Sequence, residues 1–208
     1  MRVVFFGNSE GAFSNRHFEA LSAAPCDIVA VVDVPPARRT STNTAVAAAN
    51  FVAVARAHGN AVFEPSSPNT PDFSAAMRRL QPDIFLTVGY TNLLKAELLG
   101  IPRLLAANFH ASLLPAYRGR HPLYWALQNG EKWVGLTVHL MDQGLDTGDI
   151  LYQVREAVLP GDTVAGLYER IMVHSVPLVG RLLADAENGT LTCRPQGTAG
   201  ASYYGAIR

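Results

Sequence analysis

Asn108 and His110 stand two positions apart, directly after the apolar run Leu104-Leu105-Ala106, in a stretch from Ala107 to Pro122 that also holds Ser112, Arg118, Arg120 and His121. Alternate side chains of a β-strand share a face, so Asn108 and His110 point one way while Phe109 points the other. One face then offers a neutral hydrogen-bond donor beside an acid–base group. Such a pair suits chemistry that builds negative charge on a carbonyl oxygen: the amide holds the oxyanion, and the imidazole holds it or moves a proton. Taken alone, the fragment equally suits a strand end whose Asn and His satisfy loop backbone.

The elements that must position this pair follow from apolar runs alternating with amphipathic stretches. Strands are expected at Arg2 to Phe6, Ile28 to Val32, Ala61 to Phe63, Asp83 to Val88 and Leu104 to Phe109. Between them, helices are expected at Phe13 to Ala23, Thr44 to Ala57 and Pro71 to Leu80, with a helical turn at Leu93 to Leu99. Strand–helix–strand alternation at these intervals implies right-handed crossovers and a parallel sheet, whose sites lie beyond the carboxyl ends of the strands. Gly7-Asn8-Ser9, Gly89-Tyr90-Thr91 and Asn108-Phe109-His110 each close such a strand, so they face one crevice. The loop Gly7 to Gly11 is a weak anion signal, lacking both glycine-rich phosphate spacings. Arg38 to Asn43 is a polar, basic loop of a kind that meets anions.

The second half reads differently. Pro122 to Asn129 is a short helix, and Val134 to Met141 is a strand with Asp149 to Glu156 as its antiparallel partner. The turn between them, Asp142-Gln143-Gly144-Leu145-Asp146-Thr147-Gly148, is rich in carboxylates and turn residues. Asp162 to Ala184 is expected to be the longest helix, kinked at Pro177. Residues 1–188 form the expected catalytic domain, and the tail 189–208 is expected to add strands or meet a partner.

Composition narrows the classes. The 208 residues are 49% hydrophobic, enough for one substantial core, and 17 basic residues balance 17 acidic ones. A dedicated nucleic-acid binder carries a basic excess, so a large phosphate footprint is disfavoured. Cys26 and Cys193 have neither metal-type spacing nor a disulfide framework. No apolar run approaches the roughly 20 residues of a membrane span, and no basic leader precedes the first strand. The expectation is a cytoplasmic protein without a membrane or metal partner.

At this point the motifs meet a family. Asn108-x-His110-x-Ser112-Leu113-Leu114-Pro115, then Arg118-Gly119, then Leu145-Asp146-Thr147-Gly148-Asp149-Ile150, closely resemble the folate-dependent formyltransferases, over about residues 1–185. That family includes methionyl-tRNA formyltransferases, glycinamide ribonucleotide formyltransferases and sugar-nucleotide N-formyltransferases. The resemblance implies an α/β, Rossmann-like formyltransferase fold with a mostly parallel sheet flanked by helices. It implies 10-formyltetrahydrofolate as donor substrate and Asn108, His110 and Asp146 as the catalytic set.

By the same analogy the folate lies against Tyr90, Asn92, Leu93, Leu94, Met141, Asp142 and Gly144, and the acceptor lies near Ser9, Arg118, Gly119 and Arg120. Ser112 is expected to hold the motif loop, His121 and Tyr124 are further candidate contacts, and His139 either lines the folate pocket or packs in the core. The stretch Arg118-Gly119-Arg120-x-Pro122-Leu123 resembles the sugar-nucleotide enzymes, and the tRNA enzymes carry an additional basic barrel. The expected acceptor is therefore a small amine, an amino sugar on a nucleotide, with tRNA disfavoured and a homodimer left open. A methionyl-tRNA formyltransferase-like enzyme without its C-terminal domain, a 10-formyltetrahydrofolate hydrolase and a non-catalytic folate or nucleotide binding module remain as alternatives.

Overall fold

The computed structural model describes residues 1–36 and 49–207, so the Arg38 to Asn43 loop and residues 44–48 lie outside the described residues. In chain order the elements are β1 (Arg2–Gly7), α1 (Ala12–Ser22), β2 (Asp27–Asp33), α2 (Phe51–Ala57), β3 (Ala61–Phe63), α3 (Pro71–Arg79), β4 (Ile84–Val88), α4 (Ala96–Leu99), β5 (Leu105–His110), β6 (Arg118–Gly119), α5 (Pro122–Gln128), β7 (Trp133–Leu140), β8 (Ile150–Ala157), α6 (Val164–Ser175), α7 (Leu178–Asn188) and β9 (Tyr203–Tyr204).

Seven strands form one sheet in the order β3-β2-β1-β4-β5-β7-β8. The first five pair in parallel, while β5 with β7 and β7 with β8 are antiparallel. Ile84, Phe85, Leu86 and Val88 are all fully buried, the continuous apolar pattern of a strand covered on both faces. One face packs Phe5, Ala107 and Phe109 against α1, α2, α5, α6 and α7. The other packs Val4, Phe6, Phe85 and Ala106 against Phe73 and Met77 of α3 and Leu98 of α4. Among the described residues, no helix is long and apolar enough to cross a membrane.

Two expected helices change. Asn50 caps α2, its side chain accepting from the N–H groups of Val52 and Ala53, so α2 starts at Phe51, while residues 44–48 of the expected helix lie outside the described residues. The long helix over 162–184 is two helices. Pro177 has no N–H to donate and its ring would strike the carbonyl four residues back, so α6 stops at Ser175 and Pro177 becomes the N-cap of α7. The buried His17 fastens α1 to α6: its Nδ1 donates to the Phe13 carbonyl at 2.7 Å and its Nε2 accepts from the Ser175 hydroxyl at 3.0 Å. Burial pushes its pKa down to about 4, so it stays neutral and serves the core.

Phe109 shows how this core supports the chemistry. Its ring is 1% exposed and stands edge-on to His17 at 5.1 Å, on the face opposite Asn108 and His110. Truncation there leaves a cavity beneath the strand that carries both polar side chains. We expect Phe109→Ala to cost about 3–5 kcal/mol of unfolding free energy, measured by denaturant titration.

Candidate active site

β5 ends with Asn108 and His110 on one face, and its antiparallel neighbour β7 sets His139 directly opposite Asn108. The turn from β7 to β8 then brings Asp146 over both. Gly148 is needed for that turn, since a Cβ there would collide with the Leu140 carbonyl. Asp142 braces it from inside, accepting from the Gly144 N–H at 3.0 Å and the Thr147 hydroxyl at 2.6 Å.

Each of these side chains has its orientation dictated by partners. His110 Nε2 lies 2.8 Å from the Tyr117 carbonyl, which can only accept, so Nε2 carries a proton and Nδ1 is the atom free to exchange one. That Nδ1 faces Asp146 Oδ2 at 3.6 Å. His139 Nδ1 likewise donates to the Leu140 carbonyl at 2.7 Å, leaving Nε2 to accept from Asn108 Nδ2 at 3.2 Å. The second Asn108 amide hydrogen points at Asp146 Oδ1 over a long 3.4 Å. Asp146 Oδ2 is anchored by the Gly119 N–H at 2.8 Å. Ser112 holds the motif loop by donating to the Ala116 carbonyl at 2.8 Å.

The electrostatics follow. Burial pushes the His110 pKa down; Asp146 and the Tyr117 carbonyl push it back up, His139 opposes them, and the net result stays below the ordinary imidazole value. The resting ring therefore favours its neutral form. For Asp146 burial pushes upward, but His110, His139 and the Gly119 N–H outweigh it and hold the carboxyl well below the usual range. Among the described residues four non-glycine positions have positive φ, and three of them, Tyr117, His121 and Asp146, belong to this region. Backbone held in a sparsely populated conformation is a mark of functional sites.

A cavity of about 660 Å³ opens on this array, a size that fits a bound small molecule. Tyr90, Asn92, Leu93, Met141, Asp142, Gly144 and Leu145 line it, and Leu93 and Leu145 leave nearly half of their surface open. Asn8, Phe13, Arg120, His121, Tyr168 and Tyr204 line it as well. Four expected contacts are not on its wall, Tyr124 among them. Leu94 is fully buried in the core between β4 and α4. Ser9 is turned inward, its N–H and hydroxyl both donating to the buried Asp33 at 2.9 and 2.6 Å. Arg118 is 8% exposed, with its guanidinium donating to Gln196 and to the Tyr203 hydroxyl. Gly119 and Arg120 do reach the cavity.

The tail supplies what the motifs did not announce. β9 pairs in parallel with β6, placing Tyr203 beside Arg118 and Tyr204 beside Gly119. Tyr204 stacks between Tyr117 at 5.0 Å and Trp125 at 5.4 Å. A side chain at Gly119 would collide with the Tyr204 carbonyl, so this glycine is the condition for the tail to dock. The aromatic pair Tyr203-Tyr204 was the available sequence signal, while its partner strand of two residues was too short to read.

The formyl transferase family model matches residues 1–178. A methionyl-tRNA formyltransferase of Synechococcus sp. (strain JA-3-3Ab) is 37% identical over 204 residues, 98% of this chain but 63% of the relative, so the chain spans just under two thirds of that protein's length. A phosphoribosylglycinamide formyltransferase structure from Bacillus halodurans is 26% identical with a TM-score of 0.74, covering 90% of this chain and 98% of that one. An N-formyltransferase from Helicobacter canadensis, solved with folinic acid and dTDP-3-aminofucose, shares the fold at 19% identity and a TM-score of 0.73, covering 98% of this chain and 70% of that one. The seven-stranded sheet, the array at the end of β5 and these likenesses converge, and the chain belongs to the formyl transferase family.

Proposed function

We propose that the protein transfers a formyl group from 10-formyltetrahydrofolate to an amine. The observation that carries this reading is the array of Asn108, His110, His139 and Asp146 facing a ligand-sized cavity with one open apolar flank. The cavity wall formed by Tyr90, Leu93, Met141 and Leu145 fits a flat aromatic ring system, and bound there the donor would present an electrophilic formyl carbon at the array. The chain's own residues account for the remaining steps.

As the acceptor's nitrogen bonds to that carbon, charge collects on the formyl oxygen. Asn108 answers it by giving up its long contact to Asp146, since its other hydrogen remains on His139. The attacking nitrogen, now cationic, loses its proton through solvent at Asp146 to Nδ1 of the neutral His110. The resulting imidazolium is paired at once with Asp146 and with the oxyanion. When the bond to the folate nitrogen breaks, the same Nδ1–H returns the proton to that leaving nitrogen, and the ring is neutral again. Asp146 stays ionised throughout, so it acts as a fixed countercharge.

For the acceptor we favour an amino sugar carried on a nucleotide, supported by Arg120 and His121 on the cavity wall. Arg118 no longer supports it. A second reading, formylation of an aminoacylated tRNA, is favoured by the 37% identity to a methionyl-tRNA formyltransferase. We expect 5-formyltetrahydrofolate to bind by calorimetry, and tetrahydrofolate to be released only in the presence of the correct amine. Incubation with amino-sugar nucleotides, glycinamide ribonucleotide and methionyl-tRNA separates the acceptors. Release without any amine indicates a hydrolase, and binding without release indicates a binding module.

A further inference from the structure

We propose that Gln196, in the C-terminal tail, is a positioning residue that aims Asp146; the inference rests on the function proposed above. Gln196 Nε2 donates to two carbonyls of the catalytic turn, that of Asp146 at 3.0 Å and that of Gly148 at 2.6 Å. Its Oε1 accepts from Arg118, from Nη2 at 2.7 Å and from Nε at 3.3 Å. One amide therefore couples the segment after the β5 motif to the turn that carries the carboxylate.

The choice of amide is informative. Arg118 is buried, and among the described residues it forms no ion pair; its guanidinium donates to the neutral Gln196 and Tyr203. A glutamate at 196 would match the size of glutamine and would give that guanidinium a charge-assisted partner. What glutamate lacks is the NH2 group. The two carbonyl contacts are thus the function that an amide alone fulfils, and they hold the backbone carbonyls of the two residues that flank Thr147.

Asp146 needs such restraint. Its φ of 54° is a conformation that side-chain-bearing residues resist, and its carboxylate has to meet Gly119, Asn108 and His110 together. The Gly119 N–H holds the side chain, and Gln196 holds the backbone behind it. The tail that provides Gln196 is itself pinned by the Arg118 N–H to the Ser202 carbonyl, the Arg120 N–H to the Tyr204 carbonyl and the Trp125 indole to the Gly205 carbonyl. Without the amide the turn is free to move its carboxylate away from His110, and a displacement of about 1 Å in catalytic geometry costs on the order of 100-fold in rate.

The test compares Gln196→Glu, Gln196→Met and Asp146→Asn in the full chain. Gln196→Glu keeps an acceptor for Arg118 but turns an oxygen against the two carbonyls; Gln196→Met removes the two carbonyl contacts and the acceptor for Arg118 without adding charge. We expect kcat, with the amine selected above, to fall about 100-fold in both Gln196 variants. The Kd for 5-formyltetrahydrofolate should stay unchanged. The His110 imidazole, titrated by NMR without any substrate, should shift to lower pKa as Asp146 withdraws, with His139 beside it and Arg120 and His121 on the cavity wall left in place.

Wild-type kcat and His110 titration in folded Gln196→Glu and Gln196→Met, beside an inactive Asp146→Asn, would overturn the positioning role while leaving the proposed function standing. So would a loss that lies wholly in donor Kd. Wild-type turnover in Asp146→Asn would instead overturn the catalytic role of Asp146, and a parental chain that releases no tetrahydrofolate with any of the amines would overturn the proposed function itself.

Discussion

Asp146→Asn is expected to lower kcat by about 10,000-fold, the size of loss seen when the carboxylate partner of a catalytic imidazole becomes an amide. The carboxylate accepts at both oxygens, from Gly119 at one and from Asn108 at the other, while a carboxamide accepts at only one. The variant must leave one donor facing an NH2 group, and it also loses the countercharge for the His110 imidazolium. The sign of the pH effect follows. His110 has to be neutral to take the proton, so activity falls as pH drops through its pKa, already depressed by burial. Removing Asp146 removes the charge that raises that pKa, so the acid limb of the residual activity moves to lower pH. Asp142→Asn and Asp149→Asn are the controls. Asp142 braces the turn internally, and Asp149 contacts Cys193 at 3.6 Å, away from the array. Steady-state kinetics with saturating donor and acceptor decides the assignment, and a larger loss at either control would mean that the wrong carboxylate has been assigned.

Asn108→Ala is expected to lower kcat by about 100- to 1,000-fold, the usual consequence of losing one oxyanion donor. The effect should fall on kcat more than on donor KM, because the hydrogen that serves the oxyanion rests on Asp146 until negative charge develops. The change also removes the donor to His139 Nε2, whose ring nevertheless stays anchored by Nδ1 on the Leu140 carbonyl. Folding should therefore survive, with circular dichroism and the thermal midpoint near those of the parent. A variant that folds normally and turns over at the parental rate would return Asn108 to the role of satisfying loop backbone.

The sequence by itself determined the features that depend on local period and on covalent spacing. Alternation along β5 put Asn108 and His110 on one face, apolar runs without alternation marked the doubly covered strands, and the order of strands and helices implied a parallel sheet whose strand ends share one crevice. The family resemblance of the motifs named Asp146 as their expected partner, and the β7–β8 turn that carries it is a local structure with its own glycines. Only the tertiary structure decided which of the nearby polar side chains face the cavity. Arg118 and Arg120 look alike in the chain, yet the short strand β6 turns the first inward onto Gln196 and Tyr203, while the second reaches the cavity wall. Ser9 was drawn to Asp33 by a buried carboxylate 24 positions away. His139 stands opposite Asn108 because antiparallel register brings it there, from 31 positions further along. The protonation of His110 was likewise beyond sequence: a neighbouring carboxylate argues for charge, and the depth of burial, which only the packed core sets, argues against it and prevails.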